Sequence, residues 1–301
     1  MVTKIEKDAI SGTPTTGHEW DGIKELNTPL PRWWIYTFYG CIVWAIGYTV
    51  AYPAWPLLSG ATPGLLGYSS RGQLEQSLTE AKTAQKVNLD KIAAADVNAI
   101  LKDDSLREFA RAGGAAAFKV NCVPCHGSGA AGAVGYPNLN DNDWLWGGTP
   151  DAIYTTLKNG IRYTQNPDTR VMDMQIFGPD PANGGAAVLT PEQIDQVSNY
   201  VVSLSDAGAA DAAKATAGKQ IFTDNCAACH SDNAQGNKDM GAPNLSDKIW
   251  LYGGTVQAVA AQVTKPRMGV MPAWSHRLDD TTVKQLAVYV HSLGGGEAAA
   301  Q

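Results

Sequence analysis

The feature that most constrains this chain is a five-residue pattern, Cys-x-x-Cys-His, which occurs twice in the second half of the sequence. It occupies residues 122–126 and residues 226–230, so the two copies lie 104 positions apart. Two thiols separated by two residues lie on one helical turn, and the histidine follows at once. Each copy can therefore present two sulfur atoms and one imidazole to the same bound group.

The two patterns belong to an internal repeat that extends far beyond the cysteines. The matching segments are Gly114…Asn121 with Gly218…Asn225, Pro137–Leu139 with Pro243–Leu245, Trp144–Thr149 with Trp250–Thr255, and Leu189…Leu204 with Leu278…Leu293. A repeat of this length is a domain-sized unit. Apolar residues at helical spacing near the end of each copy predict that both units are helical.

Local signals also predict where the closing helices begin and what they contact. Thr190, Pro191 and Gln193 form a capping box, and Asp279 takes the N-cap position in the second copy. Within each copy we expect the first and last helices to cross at an aromatic pair, Phe118 with Tyr200 and Phe222 with Tyr289. Two glycines are expected to permit the close approach: Gly114 and Gly218.

Cys-x-x-Cys-His is the signature of covalent haem attachment. The thiols form thioethers with the porphyrin vinyl groups, and the histidine becomes the proximal ligand of the iron. The predicted attachment residues are Cys122 and Cys125 for one haem c and Cys226 and Cys229 for the other, with His126 and His230 as proximal ligands. The alternatives are structural zinc, which needs four ligands, and thiol redox chemistry, which is typical of a βαβ setting.

The sixth iron ligand distinguishes an electron carrier from a reactive haem, and methionine gives a closed site. An aromatic residue stands three positions after Met174 and after Met271, but not after Met172 or Met268. The repeat therefore favours Met174 for the haem of the first copy and Met271 for the haem of the second. Two histidines remain as alternatives for the second haem: His276 and His291.

Other repeated residues have both a haem-related and a structural interpretation. Arg162 and Arg267 could donate to haem propionates or could be solvated surface arginines. Trp144 and Trp250 are expected near the haems, although an ordinary core tryptophan has the same pattern.

The N-terminal third contains a predicted membrane anchor. No charged residue occurs from Trp33 to Ser70, and the aromatic-rich run from Trp33 to Tyr52 is long enough to cross a hydrocarbon core as a helix. A signal peptide or a buried core helix is the alternative, but the run is long for the first and uncharged for the second. Arg32 and Lys24 precede the run, which favours a cytoplasmic N-terminus.

The predicted fold class is all-α, with one N-terminal transmembrane helix followed by two tandem class I cytochrome c domains. The predicted segments are a flexible cytoplasmic tail over 1–32, the transmembrane helix over 33–55, a periplasmic helical connector over 56–107, haem domains over 108–206 and 207–295, and a tail over 296–301. The net charge of −6 makes nucleic acid an unfavourable partner and favours a basic one.

The sequence resembles the dihaem subunit, called CcoP or FixP, of cbb(3)-type cytochrome c oxidase. The block Gly17–Pro31 before the anchor, followed by Trp33 and Trp34, is similar to that family's signature. The segments Asn225–His230 and Gly241–Leu245 are also similar. The chain departs from the family pattern at Met174, where Gln-Ile-Phe follows in place of Pro-Ala-Phe.

The resemblance implies an electron-transfer subunit without a catalytic centre of its own. It implies haem domains in the periplasm of a bacterium, held at the inner membrane by the lipid-embedded helix. Electrons would come from a cytochrome c donor, pass to a monohaem subunit, and reach a haem-copper catalytic subunit that reduces oxygen and pumps protons. A dihaem peroxidase and the cytochrome subunit of a periplasmic dehydrogenase are the competing functions.

Overall fold

The computed structural model describes residues 4–298 and is mostly helical, as the sequence predicts. It divides into two compact units, one ending at Ala84 and one beginning at Gln85. The strands are β1 (Thr15–Trp20), β2 (Ile23–Leu26), β3 (Pro56–Leu57) and β4 (Gly60–Ala61). The helices are α1 (Arg32–Ala51), α2 (Ser70–Ala94), α3 (Val97–Lys102), α4 (Asp104–Asn121), α5 (Val123–His126), α6 (Pro150–Asn159), α7 (Pro191–Ser205), α8 (Ala212–Asn225), α9 (Ala227–His230), α10 (Val256–Thr264) and α11 (Asp280–His291).

The N-terminal tail is more ordered than the sequence interpretation allowed. Strands β1 and β2 pair in an antiparallel hairpin that turns at Asp21 and Gly22. Both turn residues have positive φ, 49° and 84°, which is the conformation of a two-residue hairpin turn. The expectation of a mostly flexible tail is therefore wrong for these residues, and the Asp-Gly pair was the local signal for the turn.

Helix α1 covers most of the predicted transmembrane segment, beginning one residue before it and ending at Ala51. It is the one helix among residues 4–298 that is long and apolar enough to cross a membrane by length and composition. None of its side chains is buried by the rest of the chain. It ends at Ala51, just before Pro53, which cannot continue a helix.

The connector ends by packing against the region that contains the first Cys-x-x-Cys-His pattern. Ile92 at the end of α2, and Val97 and Ile100 in α3, are at most 2% exposed and belong to the same apolar core as Cys122. Lys284 closes the end of α2 by donating from Nζ to the carbonyl of Ala93 at 3.0 Å. The end of the connector, from Ile92 onward, is thus part of the core that contains Cys122.

The second half contains two apolar cores, and each draws on both copies of the repeat. The first core surrounds Cys122 and combines α4 and α6 of copy one with α11 of copy two. The second core combines α7 of copy one with α8 and α10 of copy two, and Cys226 packs against it. The two copies therefore exchange their C-terminal parts.

This exchange corrects the predicted helix contacts. The ring of Phe118 meets Tyr289 rather than Tyr200, at 5.3 Å between centroids. The ring of Phe222 meets Tyr200 rather than Tyr289, also at 5.3 Å. The within-copy pairing was wrong because the closing helices of the two copies present the same apolar spacing, so either one fits either partner.

The predicted glycine contacts and helix caps are present. A Cβ on Gly114 would overlap the backbone carbonyl of Gln285 in α11, and a Cβ on Gly218 would overlap that of Gln196 in α7. Both helix pairs thus cross at a glycine, as expected, with exchanged partners. The capping box at Thr190 and the N-cap at Asp279 are confirmed.

Candidate haem-binding sites

Each Cys-x-x-Cys-His pattern forms a single helical turn that continues from the preceding helix. The amide of Cys122 donates to the Phe118 carbonyl at 2.9 Å, and the amide of His126 donates to the Cys122 carbonyl at 2.8 Å. The second pattern repeats this arrangement with Phe222, Cys226 and His230 at 2.8 and 2.9 Å. The buried phenylalanine of each core therefore fixes the direction in which the cysteines and the histidine leave the helix.

A proline carbonyl orients each predicted proximal histidine. Nδ1 of His126 lies 3.1 Å from the Pro137 carbonyl, and Nδ1 of His230 lies 3.0 Å from the Pro243 carbonyl. A carbonyl only accepts hydrogen bonds, so Nδ1 carries the proton and Nε2 keeps its lone pair for a metal. Burial lowers the pKa of both imidazoles, which favours the neutral ligand form.

The first thiol of each pattern is poorly suited to redox exchange. Burial, reinforced by the neighbouring thiol, raises the pKa of Cys122 and of Cys226 to about 11. Redox-active Cys-x-x-Cys sites instead have lowered thiol pKa values. Zinc lacks support as well, because within residues 4–298 no three His, Cys, Asp or Glu side chains form a metal-binding group. The residues fit a haem held by two thioethers and one imidazole.

The two candidate methionines lie in the opposite cores to those expected. Met271, in copy two, packs against the first core, which includes Cys122, and Met174, in copy one, packs against the second core, against which Cys226 also packs. Met271 exchanges two backbone hydrogen bonds with Ile161, at 2.9 and 3.0 Å. The expectation that each methionine stays with the cysteines of its own copy is wrong, because the exchange carries the methionines with the closing helices.

The Met174 loop is fixed in the same way. The amides of Phe177 and Gly178, just after Met174, donate to the carbonyls of Val263 and Thr264 at the end of α10, at 3.3 and 3.0 Å. Each methionine loop is thus hydrogen-bonded to the C-terminal end of a short helix from the other copy. The Met271 loop binds the segment after α6, and the Met174 loop binds the end of α10.

The alternative ligands have other surroundings. Met172 and Met268 are exposed, at 40% and 39%, whereas Met174 and Met271 are half-buried against a core. This difference supports the choice made from the aromatic spacing.

The two remaining histidines also contact protein groups. Nε2 of His291 lies 2.8 Å from the Glu297 carbonyl. The ring of His276 lies edge-on to Tyr163, with 6.1 Å between centroids.

Among the arginines, Arg170 rather than Arg162 corresponds to Arg267. The Arg170 guanidinium lies over the Trp146 ring at 5.4 Å and donates to the Trp146 carbonyl at 2.7 Å. Arg267 lies over the Tyr252 ring at 4.6 Å and donates to the Tyr252 carbonyl at 3.4 Å. Trp146 and Tyr252 occupy the same repeat position. The sequence contained a signal for this pair, because each arginine precedes a candidate methionine by four residues.

The loops that follow the two histidines interlock. The amide of Gly135 donates to the Leu251 carbonyl at 2.9 Å, and a Cβ on Gly135 would contact the Tyr252 ring. Reciprocally, a Cβ on Gly241, the repeat counterpart of Gly135, would overlap the Trp146 ring. The loops that follow the two histidines therefore contact one another in a pseudo-symmetric way.

The predicted tryptophans lie in the two cores. Trp144 packs against the first core and donates from Nε1 to the Gly295 carbonyl at 2.7 Å. Trp250 packs against the second core. Both rings lie beside a glycine at which a Cβ would overlap them, Gly148 and Gly254.

Three family models match successive parts of the chain. The N-terminal domain of cytochrome oxidase-cbb3, FixP, matches residues 12–59, which include the hairpin and α1. Cytochrome c matches residues 112–205, and cytochrome C oxidase, cbb3-type, subunit III, matches residues 213–290. The prediction of two cytochrome c units along the sequence is therefore confirmed, even though their helices exchange in space.

Several curated relatives match over nearly the whole length. The cbb3-type cytochrome c oxidase subunit FixP of Rhizobium meliloti (strain 1021) is 56% identical over 96% of this chain and 97% of the relative. The FixP subunit of Bradyrhizobium diazoefficiens is 51% identical, and the CcoP subunit of Cereibacter sphaeroides is 49% identical, each over 99% of this chain and 100% of the relative. With the two haem-type sites and the apolar helix, these matches show that the chain belongs to the FixP/CcoP family of cbb3-type cytochrome c oxidase subunits.

Proposed function

We propose that the chain carries two covalent haems c, one for each of the sequence units 108–206 and 207–295. The thioethers would form at Cys122 and Cys125 for the first haem and at Cys226 and Cys229 for the second. His126 and His230 would be the proximal ligands, each oriented by its proline carbonyl. A bound haem supplies an iron that accepts and gives up one electron.

The exchange supports a different methionine for each site from the one that the repeat alone favours. Met271 is the proposed distal ligand of the haem at Cys122, and Met174 that of the haem at Cys226, because each packs against that core. Methionine closes the iron to exogenous ligands and raises its potential. Both centres would then be electron carriers rather than reactive haems.

We infer that the chain passes electrons from a cytochrome c donor, through its two haems, to a monohaem subunit and on to a haem-copper catalytic subunit. Oxygen reduction and proton pumping would take place on that catalytic subunit. The observation that carries the proposal is the interlocking of the two loops through Gly135 and Gly241, since it brings two closed carriers together in one chain. The net charge of −6 favours a basic donor.

The proposed location is the bacterial inner membrane, with the N-terminus in the cytoplasm and both haem domains in the periplasm. Helix α1 has the length and composition to cross the lipid. Lys24 precedes it and Arg32 is its first residue, and the next charged residue, Arg71, follows its end by 20 positions.

Purification of the chain from native membranes, with haem spectra and identification of bound subunits, tests this function. We expect co-purification with a haem-copper subunit and two six-coordinate haems c. Stoichiometric carbon monoxide binding by a reduced haem c would instead favour a peroxidase. A dehydrogenase as the bound partner would overturn the oxidase assignment.

Methionine variants test the ligand assignment separately. Met271→Ala is expected to open the haem at Cys122, and Met174→Ala the haem at Cys226, each seen as loss of the methionine–iron charge-transfer band at one haem. Variants that lack the cysteines of one pattern identify which haem responds. Met172→Ala is the control and should leave both haems unchanged. Opening of the haem in the same copy as the substituted methionine would contradict the exchanged assignment.

A further inference from the structure

Two short segments, which we call the crossover segments, carry the chain from one core to the other. They are residues 171–173 and 268–270. The first begins after Arg170, which donates to Thr156 in α6 at 3.0 Å, and it ends at Met174 on the second core. The second begins after Arg267 on the Tyr252 side and ends at Met271 on the first core. Each crossover is completed in three residues, so a small displacement of either segment must move the methionine that follows it.

One side chain binds both crossover segments. Nε of Arg162 donates to the Gly269 carbonyl at 2.8 Å, and Nη1 of Arg162 donates to the Met172 carbonyl at 3.2 Å. Gly269 and Met172 occupy equivalent positions, each two residues before a proposed ligand. The guanidinium is planar and presents several N–H groups in a fixed arrangement, so it can hold two carbonyls at a constant separation.

The backbone around Arg162 is fixed by the same elements. Its amide donates to the Arg170 carbonyl at 2.8 Å, and the preceding Ile161 exchanges two hydrogen bonds with Met271. Arg162 itself has φ 52°, which is uncommon for a residue other than glycine. A conformation of this kind persists only where the surroundings determine it. The backbone at Arg162 is therefore held by Arg170 through its own amide and by Met271 through the neighbouring Ile161.

Only the first copy provides this residue. The chain between Thr149 and Arg170 is nine residues longer than the matching chain between Thr255 and Arg267, and Arg162 lies within the extra length. In the second copy, Lys265 and Pro266 lead directly from α10 to Arg267. The Arg162 side chain, which only copy one contains, thus binds the crossover segments of both copies.

We propose that Arg162 is a positioning residue that fixes both axial methionines at once, so that the ligation of the two haems is coupled. The inference rests on the proposed ligation by Met174 and Met271. Hydrogen bonds from a charged donor are stronger than neutral ones, and both acceptors here precede a ligand by two residues. Without the Arg162 guanidinium, both crossover segments lose a hydrogen bond at the same time. Loss of either methionine, by contrast, affects one haem.

The test uses the full-length, haem-loaded chain in detergent. Arg162→Asn removes the guanidinium but keeps a residue that tolerates positive φ, and Arg162→Gly removes it while relieving the backbone. Both variants should weaken the methionine–iron charge-transfer band at both haems. They should also raise, on the order of tenfold, the equilibrium constant for opening the reduced haems to carbon monoxide, which corresponds to losing one charged hydrogen bond. Arg162→Lys, which can keep one contact, should show a smaller change.

Arg277→Asn is the matched control. Arg277 lies six residues after Met271 and over the Trp274 ring at 5.8 Å, away from the crossover carbonyls, so its loss should leave both haems closed. Unchanged bands and carbon monoxide binding in both Arg162 variants would overturn the proposal, and so would a change confined to one haem. If Met174→Ala and Met271→Ala themselves leave the haems closed, the ligand assignment fails instead, so the two failures are distinguishable.

Discussion

The first and second cores share one plan but differ in their supports. The first core receives α3 and the end of α2, with Ile92 fully buried. It also receives the C-terminal segment, where the amide of Gly148 donates to Glu297 at 2.8 Å and Lys238 pairs with the same carboxylate. The second core is built from α7, α8 and α10. The repeat therefore provides two equivalent helical cores, and segments outside the repeat pack against the first core in addition.

Both cores depend on both copies of the repeat. Each core needs helices from both copies, so neither copy can bury its own apolar face alone. The helices of the two cores are related as in a domain-swapped dimer, but within one chain. A substitution in one copy should consequently destabilise a core that also contains helices or a candidate methionine of the other copy.

The largest expected effect comes from filling the glycine crossings. Gly114→Val should destabilise the first core by about 3 kcal/mol, because its side chain would overlap the Gln285 carbonyl. It should also displace α11 and weaken ligation by Met271. Gly218→Val should do the same to the second core. Denaturant unfolding followed by haem absorbance measures both.

Gly129→Ala serves as the control for the glycine variants, since nothing lies within 4 Å of a Cβ at that position. A change below about 0.5 kcal/mol is expected there. Equally small changes for Gly114→Val would contradict the close crossing of α4 and α11.

The next prediction compares a nearly buried lysine at the first core with a half-exposed lysine at the second core. Lys284 is 11% exposed by its side chain, donates to the Ala93 carbonyl and pairs with Asp280 at 3.1 Å. Lys284→Met keeps the apolar stem but leaves these acceptors without the ammonium, and should cost about 2 kcal/mol. Faster hydrogen exchange at the end of α2 is the specific readout.

The matched variant in the second core is Lys214→Met. Lys214 pairs with Asp195 at 2.7 Å, but its side chain is 49% exposed. Its loss should cost no more than about 0.5 kcal/mol. A loss as large as that of Lys284→Met would show that burial is not the reason for the difference between the cores.

Double-mutant cycles test the exchange itself. Replacing Phe118 and Tyr289 by leucine, singly and together, should give a coupling energy of about 1 kcal/mol, because the rings are in contact. The pair Phe222 and Tyr200 should couple similarly. The cycle for Phe118 with Tyr200 should show no coupling. Coupling in that last cycle would contradict the exchange and support the pairing of Phe118 with Tyr200 within one copy.

The smallest effect depends on pH. Burial, with the nearby Asp247 and Asp141, raises the pKa of Asp143 to about 6, and Lys238 opposes this shift. The folded protein then binds more protons at this site than the unfolded chain, so stability falls as pH rises through this range. Asp143→Asn should stabilise the protein at pH 7, on the order of 1 kcal/mol after solvent screening is considered. The gain should vanish near pH 3, and a gain that grows on acidification would contradict the assignment.

Several structural features could have been predicted from the sequence more fully. Asp21-Gly22 between two β-prone runs is a hairpin signal, and the equal spacing from Arg170 to Met174 and from Arg267 to Met271 identifies the equivalent arginines. Arg162 was assigned to the wrong equivalence because the inserted residues in the first copy shift it out of register. The role of its side chain at the crossover depends on contacts between residues 107 positions apart.

The haem-attachment pattern, the repeat, the apolar helix and the helix caps can all be recognised in the sequence, which also favours Met174 and Met271 over their neighbours as candidate ligands. These depend on local spacing, which a single segment contains. Which methionine packs against which core became clear only from the three-dimensional packing. The two copies have nearly identical apolar faces, so α11 fits α4 as well as it fits α8. Only the packing of the whole chain, in which each crossover takes three residues, selects one of these arrangements.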